Sequence, residues 1–379
     1  MKILLKVSTD IPFGNAADIE VKEENGTPVV SFEPSTHGGP ESLWFCLRVK
    51  TGTRSKKIKL LMKNVQNILG GGTPENIRPV VSHGGGNWVR LGAPEVKILP
   101  DGRTTASWLV TPTKKEFDFA FCYPYGRNEV DNLINDSNGY WKADVIGLSH
   151  KDRPLIRLSN SSGNLKRTSR GLYLIARQHS GEMSGSWVLD GFLREVARLK
   201  IKDLVIWAVP LSNIDGVTDG DYGKDNFPYD LNRAWGSPAM RHEVLVLQRD
   251  LQRWNKRCTP LLAIDFHSPG GCEADGAYFF NSDPKKYPKE HKLDKKWADR
   301  MAKEMGPEYT SKNHSRFIDY RSRWETPTFH HYCNLTCKSA CLSMETPYGI
   351  SNGHVLTQDD YRLIGKRMVR AVVKAISDG

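Results

Sequence analysis

The chain has 379 residues, of which 39% are hydrophobic and 26% charged, an ordinary globular composition with material for two domains. Lys and Arg number 54 against 43 Asp and Glu, a net charge of +11, but residues 1–120 hold 16 basic and 12 acidic residues and the rest 38 and 31. With the excess spread this evenly there is no basic arm, and a nucleic-acid partner is not expected. No run approaches 18 consecutive apolar residues, which argues against a transmembrane helix and a membrane partner. The opening MKILLKVSTDIPFG lacks the apolar length and cleavage site of a signal peptide, and seven cysteines make no disulfide framework; a reduced, cytoplasmic protein is expected.

Up to residue 120 short apolar runs recur every 8–12 residues, from Lys2–Val7 through Pro28–Phe32 and Leu43–Val49 to Ala106–Val110 and Phe117–Phe121. Gly70-Gly71-Gly72, Gly84-Gly85-Gly86 and Asp101-Gly102 punctuate them, the pattern of an all-β sandwich domain over residues 1–120. From residue 121 the texture changes to lone strands alternating with amphipathic helices. Strands are expected at 140–149, 155–158, 171–177, 204–209, 261–266 and 340–344, and helices at 182–199, 237–255, 294–305 and 357–376. That alternation predicts an α/β domain over 121–379, with a mixed, mostly parallel sheet covered by helices on both faces. Sites in such sheets lie at the carboxyl ends of the strands.

Three candidates fall at such ends. His179 and Glu182 make an H-x-x-E where a strand turns through Ser180-Gly181 into a helix, offering nitrogen and oxygen ligands to one zinc ion. His267 ends the apolar strand Leu261–Phe266 and supplies a third ligand, leaving a fourth position for a water whose pKa the metal lowers. Glu345 ends the strand Ala340–Met344, where it is either a solvated strand-end carboxylate or a general base. Between them lies Asp230-Leu231-Asn232-Arg233-Ala234-Trp235. Arg233 can fork a carboxylate with amide donors from Asn232 beside it, and Asp230 can hold a ligand histidine in one tautomer, or the run can be a capped helix start.

Together these pieces resemble the zinc metallocarboxypeptidase family, and within it the cytosolic carboxypeptidase branch with an N-terminal β-domain. Ala176–Glu182 is similar to that branch's A-R-x-H-P-G-E, Pro210–Gly216 to P-x-x-N-P-D-G, Asp230–Trp235 to D-L-N-R-x-W, Ile264–His267 to I-D-x-H, and Phe119–Tyr125 to F-A-F-x-Y-P-Y. The resemblance implies removal of C-terminal residues from a peptide or protein. It implies His179, Glu182 and His267 as zinc ligands, Asp230 behind a ligand, Asn232 and Arg233 as the carboxylate clamp, and Glu345 as general base. Two positions depart from the pattern. Gly223 stands where the family has an oxyanion-stabilising arginine, and the adjacent Lys224 is expected to supply that charge. For the tyrosine that the family places on a loop before the glutamate, Tyr320 and Tyr332 are both available. An aspartoacylase-like amidohydrolase and a metal-containing peptide-binding module are the competing readings. Cys333, Cys337 and Cys341 are expected to pack, and Arg54, Lys56, Lys57, Lys59 and Lys63 to form a solvated strand face.

Overall fold

The computed structural model describes residues 5–37, 39–51, 57–224, 229–318 and 326–378. Ten strands precede residue 121: β1 (Lys6–Ser8), β2 (Ala17–Glu24), β3 (Thr27–Glu33), β4 (Cys46–Lys50), β5 (Ile58–Met62), β6 (Val80–His83), β7 (Trp88–Arg90), β8 (Glu95–Ile98), β9 (Thr104–Val110) and β10 (Glu116–Ala120). They form two five-stranded sheets, in the orders β1-β4-β10-β6-β7 and β2-β3-β5-β9-β8. Phe32 and Trp108 of the second sheet touch Phe45 and Phe119 at the first, with ring centroids 4.9 to 6.0 Å apart. β2 is nearly all exposed and its sequence ADIEVKEE is charged, so no apolar run announces it. Of the basic run, Lys59 pairs with Glu95 and Lys63 with Asp18 on the surface, while Arg54 and Lys56 lie outside the described residues.

The remainder alternates strands with helices: α1 (Arg127–Asp136), β11 (Lys142–Leu148), β12 (Pro154–Ser159), β13 (Arg170–Ala176), α2 (Met183–Leu199), β14 (Leu204–Val209), α3 (Ile214–Asp219), α4 (His242–Asn255), β15 (Thr259–His267), β16 (Ala277–Asn281), α5 (Pro288–Met305), β17 (Thr310–Phe317), α6 (Phe329–Cys337), β18 (Ala340–Glu345), the short pair β19 (Ile350–Ser351) and β20 (His354–Val355), and α7 (Gln358–Ser377). Eight strands build one sheet in the order β11-β12-β14-β13-β15-β18-β16-β17. Its centre, β14-β13-β15-β18, is parallel, and antiparallel strands flank it.

Strand alternation sorts the side chains of this sheet into two cores. Leu172, Leu174 and Ala176 of β13 join Leu262, Ile264 and the faces of α2, α5 and α7. Tyr173 and Ile175 point the other way, to Ala263, to Val244, Leu247 and Leu251 of α4, and to Phe329 and Cys333 of α6. Cys333, Cys337 and Cys341 are all buried in this second core. The first core is continuous with that of residues 1–120, running from Phe32, Leu43 and Trp44 through Phe121 and Tyr123 to Val372. Arg90 fastens the seam: its guanidinium donates to the carbonyl of Leu356 and the hydroxyl of Tyr361 and lies 4.5 Å over the Tyr123 ring.

Helices α2 and α7 cross at paired glycines. A Cβ at Gly365 would sit 1.9 Å from the carbonyl oxygen of Val188, and one at Gly191 would sit 2.1 Å from that of Arg362. Among the described residues, no helix is long and apolar enough to cross a membrane.

Candidate active site

β13 and β15 run parallel, yet the chain leaves β13 for β14 on one side and returns to β15 on the other. Their carboxyl ends therefore open onto a crevice, and His179 and His267 stand there. After β13, Arg177 takes a left-handed conformation (φ 63°), unusual for a residue with a side chain. Its buried guanidinium holds the turn by donating to the carbonyls of Ser180 and Tyr125 and to Ser186 Oγ. Burial pulls its pKa down to about 10. Glu182 then immediately precedes α2, whose first turn comes unusually close to β15. Gly185 permits this, since a Cβ there would lie 2.9 Å from the backbone of Phe266.

The result is a convergent donor set. His179 Nδ1 lies 2.8 Å from Glu182 Oε1, and His267 Nδ1 lies 2.6 Å from Glu182 Oε2. One ligand atom from each of the three lies within 4.8 Å of the others, and all three residues are buried. Behind each imidazole stands a carboxylate: Asp230 at 3.0 Å from His179 Nε2, and Asp265 at 2.6 Å from His267 Nε2. Asp230 is also the cap of the turn Leu231–Arg233, accepting from the amide of Asn232 at 2.7 Å. Asp230 thus both caps this turn and stands against the His179 ring.

Asp265 falls in the I-D-x-H motif without a role assigned to it there, although the signal is present: two residues before His267 on the same strand, it shares the face of the ring it holds. Asp265 in turn accepts from Gln178 Nε2, whose Oε1 takes the indole N–H of Trp235 at 2.7 Å. The tryptophan of D-L-N-R-x-W is therefore tied to His267 through two side chains.

Charge decides what this set can hold. Three buried carboxylates, Glu182, Asp230 and Asp265, surround the two imidazoles, and the Lys224 Nζ is 3.9 Å from Glu182 Oε1. Buried negative charge gathered around neutral ring nitrogens favours a bound cation. Burial opposes ionisation of Glu182, but His179 and His267 outweigh it and hold its carboxyl well below the usual range. Burial also disfavours the charged imidazoles, yet Asp230 and Glu182 raise the pKa of His179, and Asp265 and Glu182 that of His267. Each ring presents Nδ1 to the shared glutamate and Nε2 to its own carboxylate, the arrangement that frees an Nδ1 lone pair for a metal. His179, Glu182 and His267 thus fit a metal.

Glu345 lies opposite His267 in the β15–β18 register. Burial, with the charge of Glu182 adding to it and His267 and Lys224 opposing it, pushes its carboxyl up to about 7. Its Oε2 has no hydrogen-bond partner among the described residues. Lys224 is kept protonated by Glu182, Glu345 and Asp230 against the effect of burial. Asn232 Oδ1 accepts the amide of Phe329 at 3.0 Å, and its Nδ2 lies 3.1 Å from His267 Nε2. The half-buried Arg233 donates to the carbonyl of Asn232. Tyr332 points elsewhere, with its hydroxyl 2.9 Å from Gln252 Nε2, and Tyr320 lies outside the described residues.

No protein-family model matches the chain. Its backbone does match solved structures along nearly its whole length. A metallo-carboxypeptidase from Burkholderia cenocepacia superposes with a TM-score of 0.80 at 16% identity, covering 99% of each chain. A metallo-carboxypeptidase from Pseudomonas aeruginosa, in complex with (2-guanidinoethylmercapto)succinic acid, superposes with a TM-score of 0.75 at 17% identity, covering 98% of this chain and 99% of its own. The fold is thus the one these metallo-carboxypeptidases share.

Sequence similarity finds relatives among the cytosolic carboxypeptidases. Cytosolic carboxypeptidase 6 of Mus musculus is 31% identical over 169 residues, and cytosolic carboxypeptidase 4 of Homo sapiens 30% identical over 173. The matches cover 40% and 39% of this chain, and 31% and 16% of those relatives. The chain is a relative of the cytosolic carboxypeptidases and spans about a third or less of the length of these two.

Proposed function

We propose that the protein is a zinc metallocarboxypeptidase that hydrolyses the C-terminal peptide or isopeptide bond of a peptide or protein. The observation that carries this reading is the convergence of His179 Nδ1, His267 Nδ1 and both oxygens of Glu182 at the ends of two parallel strands. Two imidazoles and a carboxylate are a donor set of hydrolytic zinc, and zinc bound there supplies Lewis acidity that polarises a carbonyl and acidifies water.

The remaining roles belong to the chain's own residues. Glu345, with an oxygen unpartnered among the described residues and a carboxyl that burial pushes up to about 7, takes the proton of the attacking water and passes it to the leaving amine. Arg233 holds the substrate's terminal carboxylate. Asn232 assists: with His267 Nε2–H donating to Asp265, that nitrogen cannot accept from Asn232 Nδ2, and the amide's donors turn to an anion. Lys224 places its ammonium where negative charge develops on the scissile carbonyl oxygen.

In this reading residues 1–120 are an N-terminal all-β sandwich domain, supported by the aromatic contacts between the two sheets, and residues 121–379 are the catalytic domain. The names of the relatives and the seven unpaired, buried cysteines favour the cytoplasm. Arg233 and Lys224 favour substrates with acidic C-terminal residues. The test is a library of peptides varied at the C-terminus, incubated with zinc-loaded protein and read by mass spectrometry. Products one residue shorter are expected, and none from C-terminally amidated peptides. Intact peptides alongside hydrolysed N-acyl amino acids would refute the reading.

A further inference from the structure

Lys224 sits on a short turn that the catalytic half of the chain ties to the segment after β13. Ser180 Oγ donates to the carbonyl of Asp221 at 2.9 Å, and the amide of Gly181 donates to that of Tyr222 at 2.8 Å, tying the turn to the segment between His179 and Glu182. The turn is also tightly shaped. Gly220 and Gly223 both have positive φ, and a Cβ on Gly223 would lie 2.3 Å from Ser180 Oγ.

The other side of the turn is held by the strand region, more than 180 residues earlier in the chain. Asn15 is fully buried, and its Nδ2 donates to the carbonyl of Gly220 at 2.8 Å. The rest of the residue is committed to its own region: Nδ2 also reaches the carbonyl of Ser35, Oδ1 accepts the amide of Ser35 at 2.7 Å, and its backbone bridges Cys46 in both directions. The carbonyl of Gly14 packs on Gly220 so closely that a Cβ there would meet it at 2.3 Å. His37 Nδ1 lies 3.2 Å from Asp221 Oδ1.

We propose that Asn15 is a positioning residue of the active site, fixing the Gly220–Lys224 turn so that the Lys224 ammonium stands beside Glu182. The strand region then completes the site without touching substrate. A buried carboxamide with every group bonded makes a stiff strut, and losing its donor would leave the carbonyl of Gly220 without that partner. This inference rests on the carboxypeptidase reading for its kinetic part alone.

The test uses the full-length, zinc-loaded protein in a double-mutant cycle. Asn15→Ala should lower kcat roughly ten-fold, the scale of coupling between residues in one network, with KM little changed and zinc content intact. In a Lys224→Ala background the same substitution should change kcat little. Hydrogen exchange should quicken at the Gly181 amide and across 220–224, with other segments as in the parent protein. His37→Ala, at a half-exposed side chain, should give a smaller loss that also disappears without Lys224, and it decides the matter if Asn15→Ala does not fold.

Equal losses in both backgrounds, or unchanged exchange at Gly181 and 220–224, would overturn the proposal. If the parent protein cleaves no peptide, the carboxypeptidase reading fails and the exchange result alone decides the role of Asn15.

Discussion

Replacing Asp265 by Asn tests whether the carboxylates behind the histidines set metal affinity. Asp265 is fully buried and accepts two hydrogen bonds, from His267 Nε2 at 2.6 Å and from Gln178 Nε2. Both bonds fall on Oδ2, so an asparagine carbonyl in that place accepts both, but as a neutral group, with its amide where Oδ1 has no partner among the described residues. If its amide faces His267, the imidazole must carry its proton on Nδ1, the nitrogen the metal needs. A hydrogen bond to an ionised partner contributes about 1.5–3 kcal/mol against about 1 for a neutral one, so the loss is about 1–2 kcal/mol before any tautomer cost. Zinc affinity should therefore fall roughly 10- to 100-fold, measured by competition with a chromogenic chelator. Asp294→Asn is the control: Asp294 is an equally buried carboxylate bonded to His330, Ser282 and the amide of Cys341, none of them a candidate ligand. It should lower Tm and leave zinc affinity unchanged. A variant Asp265→Asn that binds zinc as tightly as the parent would refute the reasoning.

Three further outcomes follow from the same geometry. Glu345→Gln should abolish peptide hydrolysis while zinc content stays at one ion per chain; retained turnover would remove Glu345 from the role of base. Lys224→Ala should lower kcat by about 10²–10³, the scale of losing one group at a developing oxyanion, with a smaller change in KM. Gly365→Ala forces a methyl against the backbone of Val188 and Phe192, which cannot move aside as a side chain would. It should cost about 3 kcal/mol of stability, seen as a lower denaturation midpoint, with the metal site unaltered in the fraction that remains folded.

The central strands were legible because each is an apolar run with a clear stop, a proline after Val209 and a polar residue at the ends of the other three. Leu204–Val209 has the bounds its composition predicts, and the strands ending near His179, His267 and Glu345 agree to within two residues at each end. Thr310–Phe317 is invisible by that criterion. TSKNHSRF is polar because the strand lies at the edge of the sheet, where water rather than a core meets its side chains. The helix Phe329–Cys337 was hidden for a different reason: it is only nine residues long and buries Phe329, Cys333 and Cys337 without a strong amphipathic rhythm. At the site, residues on strand ends could be singled out from spacing and Asp230 from its motif, whereas Gln178 and Asn15 could not. These two act through contacts 87, 57 and 205 residues away in sequence, a relation created only when the chain closes on itself.

The unbroken core has a consequence for how the molecule comes apart. Because Phe32, Trp44 and Phe121 belong to the same apolar body as the helix ending near Ser377, the interior between the two strand sheets is not separate from that of the other half. The two halves should melt as one calorimetric unit. An ion held at three residues would then stabilise strands that never approach it, because those strands unfold only when its ligands do. Removing the metal with a chelator should shift the melting of Trp108 as far as that of Trp187, so the chain can report the state of its site from either end.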